Sequence, residues 1–152
     1  MADDDLFTPT VVARPAVTRP PLRHGSLFLP AFLGGPLALL HLAHLSARRL
    51  HEPRKRRLLV VAFGLGGLVL ALVVAGLAVR QGAQPRVLRY IMQGAGGLAF
   101  LAVGPVLEPG QRRYELGGGE YEKVGVGRGL AVCLGWGVVE AVLLTVVLSV
   151  AR

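Results

Sequence analysis

Apolar residues along this chain fall into four long runs separated by short polar stretches. The clearest is Leu58–Val79, twenty-two positions built only of Leu, Val, Ala, Gly and Phe. Arg54, Lys55, Arg56 and Arg57 precede it and Arg80 follows it. A helix of that length rises about 33 Å, enough to cross the hydrocarbon core of a bilayer. A soluble helix this apolar would need burial on every face, and 152 residues supply little protein to bury it in. Leu27–Ser46, Tyr90–Leu107 and Leu130–Ala151 are the other runs. The predicted fold is an all-α integral membrane protein, a bundle of four transmembrane helices over 27–46, 58–79, 90–107 and 130–151.

Two runs carry interruptions. Gly34, Gly35 and Pro36 break the middle of the first. Pro36 has no amide donor and frees the carbonyl of Phe32, so a kink is expected there. The third run contains Gln93, Gly94, Gly96, Gly97 and Gly104 and ends at Pro105. It reads as a full span, with a re-entrant or strongly tilted course as the alternative. Outside the transmembrane domain of 27–152, Met1–Ser26 holds three aspartates and four prolines and reads as a disordered tail. Its apolar run starts too late for a signal peptide, and no Ala-x-Ala site follows. Glu108–Gly129, rich in glycine, reads as a mobile loop.

Composition supports this picture. Hydrophobic residues reach 53%, aromatics only 6%, and glycines number 21, a mixture suited to close-packed helices in lipid. A net charge of +8 raises the question of nucleic acid. All seventeen Lys and Arg lie outside the four runs, however, where they act as interfacial anchors. No separate basic domain exists to grip a phosphate backbone, so no nucleic-acid partner is expected. Loops one and three hold ten basic residues against seven on the other side, which favours cytoplasmic loops and both termini outside. Cys133 is alone and excludes an internal disulfide.

The chemistry concentrates at Glu140, eleventh of twenty-two residues in the last run and so near the bilayer midplane. An ionised carboxylate there costs about 2.5–3.5 kcal/mol on insertion scales. It reads either as a proton or cation site, or as an acid that hydrogen-bonds a neighbouring helix. Beside it, Cys133, Gly137, Ala141, Thr145 and Ser149 recur every four residues, and Gly67, Ala71 and Ala75 form a matching row on the second run. Such small-residue rows favour close helix contacts, within the chain or between copies. His41 shares a face with Ala31, Gly34 and Ala38, which would aim it into the bundle; His44 and Gln93 complete the candidate intramembrane polar set. Two histidines and a distant acid are too few for a metal, and no cofactor is expected. Gly125–Gly129 lacks the Lys-Ser/Thr pair and strand of a phosphate loop. No nucleophile stands beside a base, so no catalytic residue and no enzymatic activity are expected. Tyr90 and Phe28 read as interface anchors, and Trp136 as a deeper packing residue.

Ala31-Phe32-Leu33-Gly34-Gly35-Pro36-Leu37-Ala38, followed by Ser46-Ala47-Arg48-Arg49-Leu50, resembles the opening of small uncharacterised bacterial multi-pass membrane proteins. Their Phe-Leu-Gly-Gly-Pro-Leu-Ala motif lies in the first helix before a basic turn. Gly117–Gly119 and Gly125–Trp136 are similar to the Gly-rich stretch that leads into their Trp-containing last helix. The resemblance implies a multi-helix fold and the bacterial inner (plasma) membrane, and carries no biochemical role. The leading functional expectation is a non-enzymatic packing or accessory subunit in the lipid bilayer, associating with its own copies or another membrane protein. The alternative is a small proton- or cation-coupled transporter or channel subunit using Glu140.

Overall fold

The computed structural model describes residues 19–122 and 124–151; the expected disordered tail therefore lies outside the described residues for 1–18. The chain is all-helical, with α1 over Phe28–Arg49, α2 over Arg54–Arg80, α3 over Pro85–Leu116 and α4 over Val126–Ala151. A 3₁₀ turn, His24–Leu27, leads into α1. The four helices are each long and apolar enough to cross a membrane. The expectation of an all-α bundle of four helices, each long and apolar enough for a membrane, is met.

α1 is the central element. Of its apolar window 61% is buried, against 28% for α2 and for α3 and 11% for α4. Leu27, Ala31, Ala38, Leu39, Leu42, Ala43 and Ala47 are fully enclosed. α2 and α3 pack on α1 and on each other, while α4 leans on α1 and the edge of α2. Glycines set these distances: Gly64 lies against Leu40, Gly67 against Ala99 and Pro36, and Gly96 against the Ala31 carbonyl. A methyl group at Gly96 would overlap that oxygen.

The expected kink in α1 is a reversal. Gly35 adopts φ 72° and ψ −170°, a left-handed extended geometry open to glycine and strained for other residues. The Ser46 hydroxyl donates to the Leu22 carbonyl at 2.9 Å, and Arg49 Nη1 donates to the Pro20 carbonyl at 2.7 Å. A straight helix would hold residues 22 and 46 about 36 Å apart. The chain instead enters over 22–34, turns at Gly35–Pro36, and returns over 37–49. Two limbs of similar length make a helical hairpin, with its tip in the middle of the bundle and both ends on one face.

That face is closed by a polar clasp. The Glu122 amide donates to the Pro21 carbonyl at 3.0 Å, in an isolated parallel bridge that pairs Leu22 with Glu122. The Glu122 carboxylate takes Arg49 on one oxygen and Arg128 on the other, the latter at 3.3 Å. Gln111 donates to the Leu22 carbonyl at 3.3 Å, and Glu52, buried against Gly110, pairs with Arg56 at 2.9 Å. Residues 19–26, assigned to the tail by composition, are thus docked, with Leu22 in the core. The segment expected to be a loop from Glu108 onward is helical as far as Leu116, because Leu107 and Gly110 continue the buried face of α3 beyond Pro105.

Candidate functional site

Glu140 meets the hairpin at its turn. In a continuous helix the Leu37 amide would point at the Leu33 carbonyl; after the turn at Gly35 it donates to Glu140 Oε1 at 2.9 Å. The acid on α4 thereby caps the first free amide of the returning limb, as a side-chain cap does at an ordinary helix start. The limb's dipole presents its positive end to the carboxyl. The fit is tight: Glu140 is 6% exposed, and a Cβ on Gly35 would collide with both of its oxygens. Cys133, two turns before Glu140 on α4, fills the gap left by Gly34, and its thiol points to the Pro30 carbonyl at 3.7 Å.

On the far side of the turn lies a cavity of about 300 Å³. The hairpin tip (Leu33, Gly34, Gly35) forms its floor, with Leu88, Arg89, Met92 and Gln93 of α3 on one wall and Gly137, Glu140, Ala141 and Leu144 of α4 on the other. It exists because α3 and α4 do not pack on each other among the described residues. Gln93 and Glu140, expected in one polar set from sequence, do share this cavity.

The histidines do not join them. His41 is exposed rather than aimed into the bundle, and its ring lies 6.0 Å from the Trp136 ring on the outer side of α4. The reversal at Gly35 explains the correction, since residues before and after it no longer share one helical face. His44 is half-buried, and its Nδ1 has no hydrogen-bond partner. Among the described residues no three His, Cys, Asp or Glu side chains gather to hold a metal ion.

The small-residue rows divide likewise. Gly67, Ala71 and Ala75 face the bundle, the two alanines being buried. On α4 only Cys133 is used in that way. Nothing lies near where a Gly137 side chain would be, Ala141 and Thr145 are exposed, and the Thr145 hydroxyl turns back to the Ala141 carbonyl at 2.8 Å.

Two groups were not anticipated from sequence. His24 stacks on Phe100 with ring centroids 4.2 Å apart and lies over Gly104, wedging the inward limb against α3. Glu52, in the short α1–α2 turn, is buried under the clasp. Neither has a sequence signal beyond its residue type, although Gly104 and Gly110, spaced along α3, mark where something packs closely. At the clasp, Arg49 holds the Glu122 carboxyl below its ordinary range, chiefly through their hydrogen bond. Burial, helped by the nearby Glu115, pushes the Tyr121 phenol up to about 12. Its hydroxyl donates to the Gln111 carbonyl at 2.9 Å.

No family model, curated protein or solved structure matches the chain.

Proposed function

We propose that this membrane protein acts without catalysing a reaction, as an accessory subunit that assembles laterally through α4. The observation that carries this reading is the one-sided fastening of α4. Its inner edge is tied to α1 by Glu140 and Cys133, while Thr145 and Ala141, the latter also lining the cavity, are exposed with no helix packed over them among the described residues. Small exposed residues at four-residue spacing let another helix approach closely in lipid. The test is association in mild detergent and by cross-linking in membranes. Ala141→Leu and Thr145→Leu should each lower the oligomeric or complexed fraction without loss of helicity. A wild-type chain that is monomeric in both settings, with no co-purifying membrane protein, overturns the reading.

A second reading, a proton- or cation-handling subunit, draws on the cavity at Glu140. Broken helices persist at membrane depth where protein covers them or where they line a cavity; here α3 covers the Gly35 turn and the turn lines a cavity. Flux into liposomes that is lost in Glu140→Gln would favour it.

The fold also bears on orientation. With α1 re-entrant, residue 19, the α1–α2 turn and the α3–α4 loop share one end of the bundle, and α4 runs to the other. Among the described residues that end carries eleven Lys and Arg: Arg19, Arg23, Arg48, Arg49, Arg54, Lys55, Arg56, Arg57, Arg112, Arg113 and Arg128. The opposite end carries three, Arg80, Arg86 and Arg89. This asymmetry supports a cytoplasmic clasp, with residue 19 inside and α4 ending outside, in place of both termini outside. The bacterial inner membrane and the family resemblance stay part of the proposal.

A further inference from the structure

The geometry points to a binding site for a small monovalent metal cation at the tip of the hairpin, between Glu140, Gln93 and the last carbonyls of the inward limb. It rests on the second reading above, and it concerns binding rather than flux.

Three independent features converge there. The first is the carboxyl. Oε1 is taken by the Leu37 amide, and no hydrogen bond or ion pair reaches Oε2 from the described residues. A charge so placed, with the side chain 94% enclosed, needs a counter-ion or a proton. The second is the backbone. Pro36 has no N–H to give the Phe32 carbonyl, and the amide that would serve the Leu33 carbonyl is directed to Glu140. The inward limb therefore ends in carbonyls that lack their usual i+4 amides, at the negative end of its dipole, and Leu33 lines the cavity. The third is Gln93, which lines the same cavity and whose amide oxygen can serve as a neutral ligand.

The donor set selects the class of ion. It is all oxygen, with one carboxylate, so it suits a hard cation of single charge; zinc, copper and iron prefer nitrogen and sulfur. Cys133 is committed to the Pro30 carbonyl on the inner side of the turn. Broken helices in lipid use this arrangement in general, with free carbonyls and a carboxylate replacing the hydration shell. Arg89 also lines the cavity; it is exposed and makes no ion pair with Glu140, so the carboxylate is not neutralised by it.

The experiment uses the full chain in detergent at mildly alkaline pH, and reads radioactive sodium retention and thermal unfolding. Sodium, lithium and potassium salts are compared with N-methylglucamine at matched ionic strength. At least one alkali cation should be retained and should raise the unfolding temperature above the N-methylglucamine value. Glu140→Gln should weaken retention about tenfold or more, the loss expected when a charged ligand becomes neutral. Its amide oxygen still accepts from Leu37, so the fold should survive, as circular dichroism would verify. Gln93→Leu should cause a smaller loss and gives an independent reading should Glu140→Gln misfold. Equal behaviour in every salt, or full retention in both variants, overturns the site. Retention without flux in liposomes would sink the transport reading and leave the site standing.

Discussion

The Leu37 amide and the Glu140 carboxyl, 103 residues apart in sequence, meet at 2.9 Å where the first helix turns back on itself. A single contact thus serves two needs: the turn exposes a backbone donor in a region without water, and α4 requires an attachment point. Removing the side chain should cost more than neutralising it. Glu140→Ala leaves the Leu37 donor unsatisfied and should destabilise the protein by about 1–3 kcal/mol, whereas Glu140→Gln should cost less. Thermal unfolding in detergent checks the order. If both variants unfold together with wild type, the capping role is wrong.

Gly35 should be the least replaceable glycine in the chain. Its φ of 72° strains any other residue, and an added methyl would strike the Glu140 carboxyl. Gly35→Ala should cost about 1–3 kcal/mol from backbone strain alone. Gly66→Ala, on the open side of α2, should be neutral or slightly stabilising. Parallel melts of the two variants measure the contrast.

The hairpin fixes which loops share a side. In a Cys133→Ala background, single cysteines at Arg19, His51 and Gln81 occupy exposed positions. In oriented vesicles an impermeant maleimide should label Arg19→Cys and His51→Cys from one side and Gln81→Cys from the other. Labelling of Arg19→Cys together with Gln81→Cys would mean that α1 crosses the membrane.

Acid should loosen the clasp. Arg49 depresses the Glu122 carboxyl, so the unfolded chain takes up that proton at a higher pH than the folded one. The stabilisation is therefore complete above the ordinary carboxyl range near about pH 4.3, and it fades as pH falls through the depressed value. Glu122 is partly exposed, so the contribution is modest. Glu122→Gln should lower the unfolding temperature slightly at neutral pH and flatten its decline in acid. A decline as steep as wild type would place the acid sensitivity elsewhere.

Much of this fold was legible in the sequence and its most consequential feature was not. Twenty-two apolar positions at Leu58–Val79 could form little other than a lipid-exposed helix, and α2 follows that run closely. Gly34, Gly35 and Pro36 announced a break. A break does not reveal its angle, which is decided by contacts far along the chain: Ser46 on Leu22, Arg49 on Glu122, Gly96 under Ala31. The same limit explains His41, assigned an inward face by a helical period that the turn interrupts. Glu108, Arg112, Arg113 and Glu115 made the end of α3 look like a loop, because charges there reflect its emergence into water rather than any loss of helix. For Glu140, central position and lone charge singled out the residue, but its partner is a main-chain amide with no signature in composition.

Because α3 covers the Gly35 turn through Gly96 and the inward limb through Gly104, the hairpin of α1 lacks its cover until the later helix α3 packs on it. The break that Gly35 and Pro36 introduce is thus sheltered by a helix that begins only at Pro85, with all of α2 between them, so the α1 hairpin is complete only in the assembled bundle.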